Sequence, residues 1–259
     1  MKRHGNSSES SGGGTNYTDI RVTGRQMLLI FAKSFLIVIL LAMLFYDSLI
    51  AVLFLLPLLA VLIRREVLQV RENRIRELKK QFRECLLSVS AGLRAGYSPE
   101  NAFRHAGREL ALLYEEDRDI MKELRRFERH LDMNENLEVI LADFARRSGM
   151  EEARSFSEVF MFAKRSGGNL NRILQSAAQQ IGEKIEVERE IRTVTAAKRM
   201  EQQILNVIPI GICFYLKLAS PGYLDVLYKN PAGIAVMTVC LVVYIAAYLI
   251  SERIVEVEI

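Results

Sequence analysis

The sequence predicts an all-α integral membrane protein, with a cytoplasmic helical bundle set between two transmembrane helix hairpins. Three observations predict it. Long apolar runs come in two pairs, one pair on each side of a polar stretch. Arginine and lysine gather where those runs meet the polar stretch. Within the polar stretch, apolar residues step by three and four between short corners marked by glycine, serine or proline.

Residues 1–25 are predicted to be a flexible cytoplasmic tail. Positions 1–20 are rich in Ser, Gly and Asn and nearly free of large apolar groups, so they bury too little surface to order themselves. The first hairpin is predicted over 26–63, with spans near 27–46 and 48–63. A bilayer core of about 30 Å needs about 20 helical residues, with a range of roughly 17–25. The run MLLIFAKSFLIVILLAMLFY satisfies this, whereas LIAVLFLLPLLAVLI needs a few flanking polar residues. A cleaved signal peptide is disfavoured because the first run is long and another follows almost at once.

The second hairpin is predicted over 202–251, with spans near 203–219 and 232–250, before a short cytoplasmic tail at 252–259. Arg64, Arg65, Arg71, Arg74 and Arg76 follow the second span, and Lys198 and Arg199 precede the third. The short turns inside each hairpin offer only Asp47, Asp225 and Lys229. The positive-inside rule therefore predicts a multi-pass protein of the cytoplasmic membrane with both termini cytoplasmic. The net charge of +4 reflects this topology and requires no nucleic-acid partner. Lys33 and Lys217 lie within apolar runs, and snorkelling to the headgroups is the favoured account of both.

The central domain, 64–201, reads as helical throughout. Ile75, Leu78, Phe82, Leu86, Val89 and Leu93 form one stripe that ends at Gly96. Ser98 and Pro99 open the next helix, the serine as cap and the proline in a first turn that has no use for its missing N–H. Ala102, Phe103, Ala106 and Leu110 continue an apolar face. The acidic cluster Glu115–Asp119 favours a helix start, and a solvated surface explains it better than a metal. Helices are expected near 120–131, 136–147 and 151–165, with Gly149 stopping the second of these. Gly167 and Gly168 should turn the chain, with Asn169 capping the long helix that follows. Leu170, Ile173, Leu174, Ala177, Ala178, Ile181 and Ile185 stripe that helix, and Ile191 and Val194 are expected to extend the stripe.

No catalytic, cofactor-binding or metal-binding residue is predicted. The SGGN stretch lacks the lysine of a phosphate-binding loop and follows a helix. His4, His105 and His130 have no partner at ligand spacing, and His130 lacks the context of a phospho-accepting histidine. Cys85, Cys213 and Cys240 form neither a disulfide framework nor a metal motif.

Three stretches together carry a resemblance: LLSVSAGLRAGYSPENAF (86–103), FAKRSGGNLNRIL (162–174) and LNVIPIGICFYLKLASPGYLDVLYKNPAGI (205–234). In this order between two hairpins they resemble a single type II secretion system F domain. The chain is most similar to the TadB/TadC platform proteins of tight-adherence (Flp-type) pilus assembly systems. Gly92, Leu93 and Gly96 match the first family corner, and Gly167, Gly168 and Leu170 the second. Pro209, Pro221, Tyr223 and Gly233 match the later span, the short external segment and the last span.

The resemblance implies an inner-membrane platform that couples a hexameric cytoplasmic secretion ATPase to pilin extraction and filament assembly, and that is not itself an enzyme. The implied partners are that ATPase, pilin-like subunits, a related platform protein or a second copy, and the lipid bilayer. A membrane-anchored helical scaffold for signalling or transport is the alternative reading.

Overall fold

The structure is a computed structural model. It describes residues 17, 24–48, 51–165, 169–220, 222, 225–228 and 230–257, with backbone only at 225, 226 and 252–257. Among these residues the regular elements are all helices: α1 Gly24–Phe45, α2 Ala51–Phe54, α3 Leu56–Arg94, α4 Pro99–Leu110 and α5 Asp119–Asp132, then α6 Leu137–Ser148, α7 Glu151–Arg165, α8 Leu170–Ala219, α9 Asp225–Tyr228 and α10 Pro231–Val257. The chain divides into two compact units, Met1–Arg21 with Arg71–Ile185, and Val22–Val70 with Glu186–Ile259.

The first unit is a bundle of α4 to α7 with the adjoining parts of α3 and α8. Leu78, Phe82, Leu86, Val89 and Leu93 form the buried face of α3, as their spacing predicts, with Ile75 partly buried beside them. Phenylalanines join the helices. Phe82 meets Phe144 at 5.5 Å between ring centroids, Phe144 meets Phe127 at 5.8 Å, and Phe127 meets Phe103 at 5.4 Å. Phe103 reaches Phe156 at 6.2 Å, so one series of rings touches α3, α6, α5, α4 and α7.

The corners follow from backbone chemistry. Gly96 has φ 89°, and the N–H groups of Gly96 and Tyr97 donate to the carbonyls of Leu93 and Gly92. These two bonds close the end of α3 on its own last carbonyls. Ser98 Oγ accepts the N–H of Asn101 at 3.3 Å, and Pro99 opens α4. Gly149 ends α6 at φ 66°, as expected. Asn134, at φ 58°, closes α5 in the same way as Gly96 closes α3.

Among the described residues, the second unit holds three helices long and apolar enough to cross a membrane: Gly24–Phe45, the apolar part of Leu170–Ala219, and Pro231–Ser251. The other apolar run is divided, because α2 stops at Phe54 and α3 begins at Leu56. Pro57 has no N–H for the carbonyl of Leu53 and its ring crowds that carbonyl, which accounts for the break. Val38, Leu41, Ala42 and Phe45 pack with Leu55 and Leu59 and with Met237 and Leu241 of α10.

Lys33 and Lys217, expected to snorkel, each have an acidic partner that the sequence reading did not name. Lys33 Nζ donates to Glu66 at 2.5 Å, and Lys217 Nζ donates to Asp47 and to the Met43 carbonyl, both at 2.6 Å. A countercharge offsets the cost of a cation in apolar surroundings, and it came from residues remote in sequence. Ile191 and Val194 do not extend the buried stripe of α8. Val194 is 76% exposed and Ile191 is exposed too, and Ile185 is the last residue of α8 in the buried core of the bundle.

Two glycines separate backbone strain from helix propensity. Gly96 has open space around it, so Gly96→Ala should cost about 1–2 kcal/mol through its positive φ alone. Gly107, inside α4, would place a Cβ 3.9 Å from Leu124 Cβ, so Gly107→Ala should stabilise by up to about 1 kcal/mol. Thermal unfolding of the full chain in detergent should lower Tm for the first variant and raise it for the second; shifts of the same sign would refute this account.

Candidate functional site

The motif residues fall into two groups. Gly92 lies where α3 passes α4: a Cβ there would stand 3.2 Å from Ala102 Cβ and 3.3 Å from the Tyr97 ring. That approach is tighter than most side-chain contacts, so a Cβ at this position would make Ala102 or Tyr97 give way by a few tenths of an ångström, which glycine avoids. Leu93 is buried beside it in the bundle core. Leu170 opens α8 and packs against the same core, partly buried. Asn169 Oδ1 accepts the N–H of Arg172 at 3.2 Å, the cap expected from sequence. Asn171 Nδ2 then donates to the Tyr97 carbonyl at 3.1 Å, which brings the start of α8 onto the residue after Gly96. The first corner and the residues flanking the second thus share one end of the bundle. Gly167 and Gly168 themselves lie outside the described residues.

The other motif residues belong to the second unit. Pro209 lies inside α8 and leaves the Leu205 carbonyl without its usual donor. On the next residue, the Asn206 carbonyl accepts the Tyr244 hydroxyl of α10 at 2.8 Å. Gly233 sits against α9, where a Cβ would come within 2.6 Å of Leu227 Cα and 2.8 Å of its carbonyl carbon. No side chain fits there. Pro221 and Tyr223 lie outside the described residues.

The structure also assembles a group that the sequence reading missed. Arg147 of α6 donates to both carboxylate oxygens of Glu123 of α5, at 2.7 and 2.5 Å. Glu123 is 3% exposed and Arg147 8%. Arg147 Nε reaches Asp143 at 2.7 Å, and Arg126 and Arg146 approach the same carboxylate. Tyr17 enters from the segment before α1. It is 3% exposed, its N–H donates to the Arg147 carbonyl at 3.0 Å, and its hydroxyl donates to Glu123 at 3.0 Å. The Arg74 guanidinium lies over the Tyr17 ring, 5.2 Å from the centroid, and pairs with Asp119 at 2.8 and 2.9 Å. Tyr17 therefore departs from the expectation of a flexible tail. Averaged hydropathy over 1–20 does not register one aromatic residue held by two hydrogen bonds and a cation.

Charge and burial set the titration of this group. Burial, then the charges of Glu123 and Asp119, push the Tyr17 phenol above its ordinary range. Burial alone would lower the Arg147 pKa, but its bonds to Glu123 and Asp143 outweigh that and raise it. Burial likewise works against the Asp143 carboxylate, yet hydrogen bonds from Arg147 and Arg146 hold its pKa below the ordinary carboxylate value. Burial pushes the Cys85 thiol up to about 12, which removes it from thiolate chemistry near neutral pH.

One signal for Glu123 and Arg147 was present in the sequence. Glu123 follows Ile120 by three and precedes Phe127 by four, on the apolar phase of its helix, and Arg147 follows Phe144 by three. Opposite charges at core positions of successive helices are a reason to expect a buried pair. His130, weighed above as a phospho-acceptor, bonds Glu135 and lines an open cavity of about 620 Å³ with Arg126, Asp143 and Arg146. Among the described residues no cluster of three or more His, Cys, Asp or Glu has the arrangement to hold a metal ion.

Because the Asp143 pKa is depressed in the fold, its contribution to stability is present above its unfolded value and lost as pH falls through the folded one. Below about pH 4 the wild-type chain should therefore lose stability more steeply than Asp143→Asn, which is expected to be less stable at pH 7. Parallel pH–stability curves for the two chains in detergent would refute this role.

The chain matches the family model described as Type II secretion system (T2SS), protein F, over residues 70–216. The match covers more than half of the chain. It includes Gly92, Leu93, Gly96, Gly167, Gly168, Leu170 and Pro209, and ends before Pro221, Tyr223 and Gly233. No significant match to a curated protein or to a solved structure was found. With a helical bundle, helices long and apolar enough to cross a membrane, and this match, the chain belongs to the type II secretion system protein F family of membrane proteins.

Proposed function

We propose that this chain is the inner-membrane platform of a secretion or pilus-assembly machine, most like the TadB/TadC proteins of tight-adherence systems. The observation that carries the reading is the family match across the bundle and into the apolar part of α8. In this reading both termini and the bundle face the cytoplasm, and the chain performs no chemistry of its own. The bundle docks a hexameric secretion ATPase, while the membrane helices work on pilin-like subunits together with a related platform protein or a second copy.

The helix connectivity supports such a role. α3 and α8 each begin in one compact unit and end in the other without a helix break. A displacement imposed on the bundle by an ATPase has two continuous helices along which to pass. Pro209 lies in α8 within the apolar segment, where a local departure from regular helix is available for bending.

In-cell photo-crosslinking tests the docking claim from exposed bundle positions, Leu112 at 87% exposure and Arg129. Capture of a secretion ATPase is the expected result. Capture of kinases, transporter subunits or only the chain itself from both positions would favour a scaffold unrelated to pili. Pro209→Leu should insert at a normal level yet assemble markedly fewer filaments; normal filament assembly at a normal protein level would remove Pro209 from the mechanism.

A further inference from the structure

The family match begins at residue 70, so it accounts for Arg74, Asp119, Glu123 and Arg147 but not for Tyr17. The bundle supplies a polar slot, and a segment outside the matched domain fills it. The slot reads three features of its occupant. The Arg147 carbonyl accepts a backbone N–H at 3.0 Å, as one strand residue would offer it. The Arg74 guanidinium covers the face of an aromatic ring. Glu123, deep in the slot, accepts a hydroxyl at 3.0 Å while both of its oxygens are already engaged by Arg147.

These features together define a ligand class. Phenylalanine would offer the ring and the backbone N–H but would leave Glu123 one donor short in a site closed to water. Serine would offer a hydroxyl without the ring or the reach. Lysine would add a cation beside two arginines. Tyrosine on a peptide strand satisfies all three contacts.

We infer that the slot formed by Arg74, Asp119, Glu123 and Arg147 is a tyrosine-recognition site, and that the segment carrying Tyr17 is its intramolecular peptide ligand. On the N-terminal side of Tyr17, residues 12–16 are Gly, Gly, Gly, Thr and Asn, which offer little apolar surface for further anchoring. Among the described residues, Tyr17 attaches this segment through one backbone bond, one hydroxyl bond and one ring contact, and so small a set of contacts is reversible where a packed helix is not. The inference stands on the geometry of the slot and does not draw on the platform reading.

The test uses the full chain in detergent and a fluorescein-labelled synthetic peptide spanning residues 12–22. Tyr17→Ala, with its slot vacated, should bind this peptide saturably, and the wild-type chain at least about tenfold more weakly because its own segment competes. A peptide carrying Y17F should bind Tyr17→Ala at least about tenfold more weakly than the tyrosine peptide, the scale of one lost hydrogen bond to a charged group. Equal binding to wild type and Tyr17→Ala, no saturable binding to either, or equal affinity for the two peptides would each overturn the inference. Should Tyr17→Ala not fold, Tyr17→Phe keeps the ring and supplies a second readout. Trypsin should cut that chain after Arg21 several-fold faster than wild type, and an unchanged rate would overturn the inference equally.

Discussion

Contact among five phenylalanine rings is the interaction on which the bundle depends. Phe82, Phe144, Phe127, Phe103 and Phe156 come from five helices, and each touches the next. Helices this short do not persist alone in water, so α4 to α7 exist because these rings and the leucines around them bury one another. The corners then need only to turn the chain without spoiling that packing. Gly96, Asn134 and Gly149 do so by adopting positive φ. Gly92 contributes differently, by letting α3 and α4 approach closely at the point where the start of α8 is also tied.

A buried ion pair stands beside this apolar centre, and its energetics have the opposite character. Each charge costs several kcal/mol to desolvate, and the pair recovers that only when geometry and hydrogen bonding are nearly complete. Glu123 and Arg147 meet the condition through two bonds to each other, with Asp143 and Tyr17 taking up remaining valences. The rings tolerate small shifts, whereas the pair accepts one arrangement of α5 against α6. Apolar packing thus carries the burial of the bundle, and the ion pair adds a directional link between α5 and α6.

Much of this was legible in the sequence because local chemistry decides it. The stripe from Leu78 to Leu93, the Ser98 and Asn169 caps, the Gly149 stop and the three helices between residues 119 and 165 each depend on residues within a few positions of one another. The features that escaped depend on partners far along the chain. Tyr17 and Glu123 are 106 residues apart, and Lys217 and Asp47 are 170 apart. Periodicity announces that a face will be buried but not what will cover it, which is why Ile191 and Val194 read as core and are exposed. Pro57 was visible, but a proline within an apolar run is also compatible with a kinked, continuous span, and its missing N–H and its crowding of the Leu53 carbonyl account for the division seen here.

The end of α1 has a consequence for how the protein is made. A helix leaves its last carbonyls without internal donors. Here the Met43 carbonyl is met by Lys217 and the Leu44 carbonyl by the Tyr228 hydroxyl, at 2.6 Å each, with the same lysine neutralising Asp47. Both donors come from α8 and α9, 174 and 184 residues later in the chain. At synthesis rates of about 5–20 residues per second, the end of α1 leaves the ribosome roughly 10–35 s before its capping groups exist. During that interval the carbonyls of Met43 and Leu44 lack these two donors and Asp47 lacks its lysine. The end of α1 is therefore completed by residues translated long after it, and a polypeptide truncated before Lys217 lacks both of the donors that meet its last carbonyls.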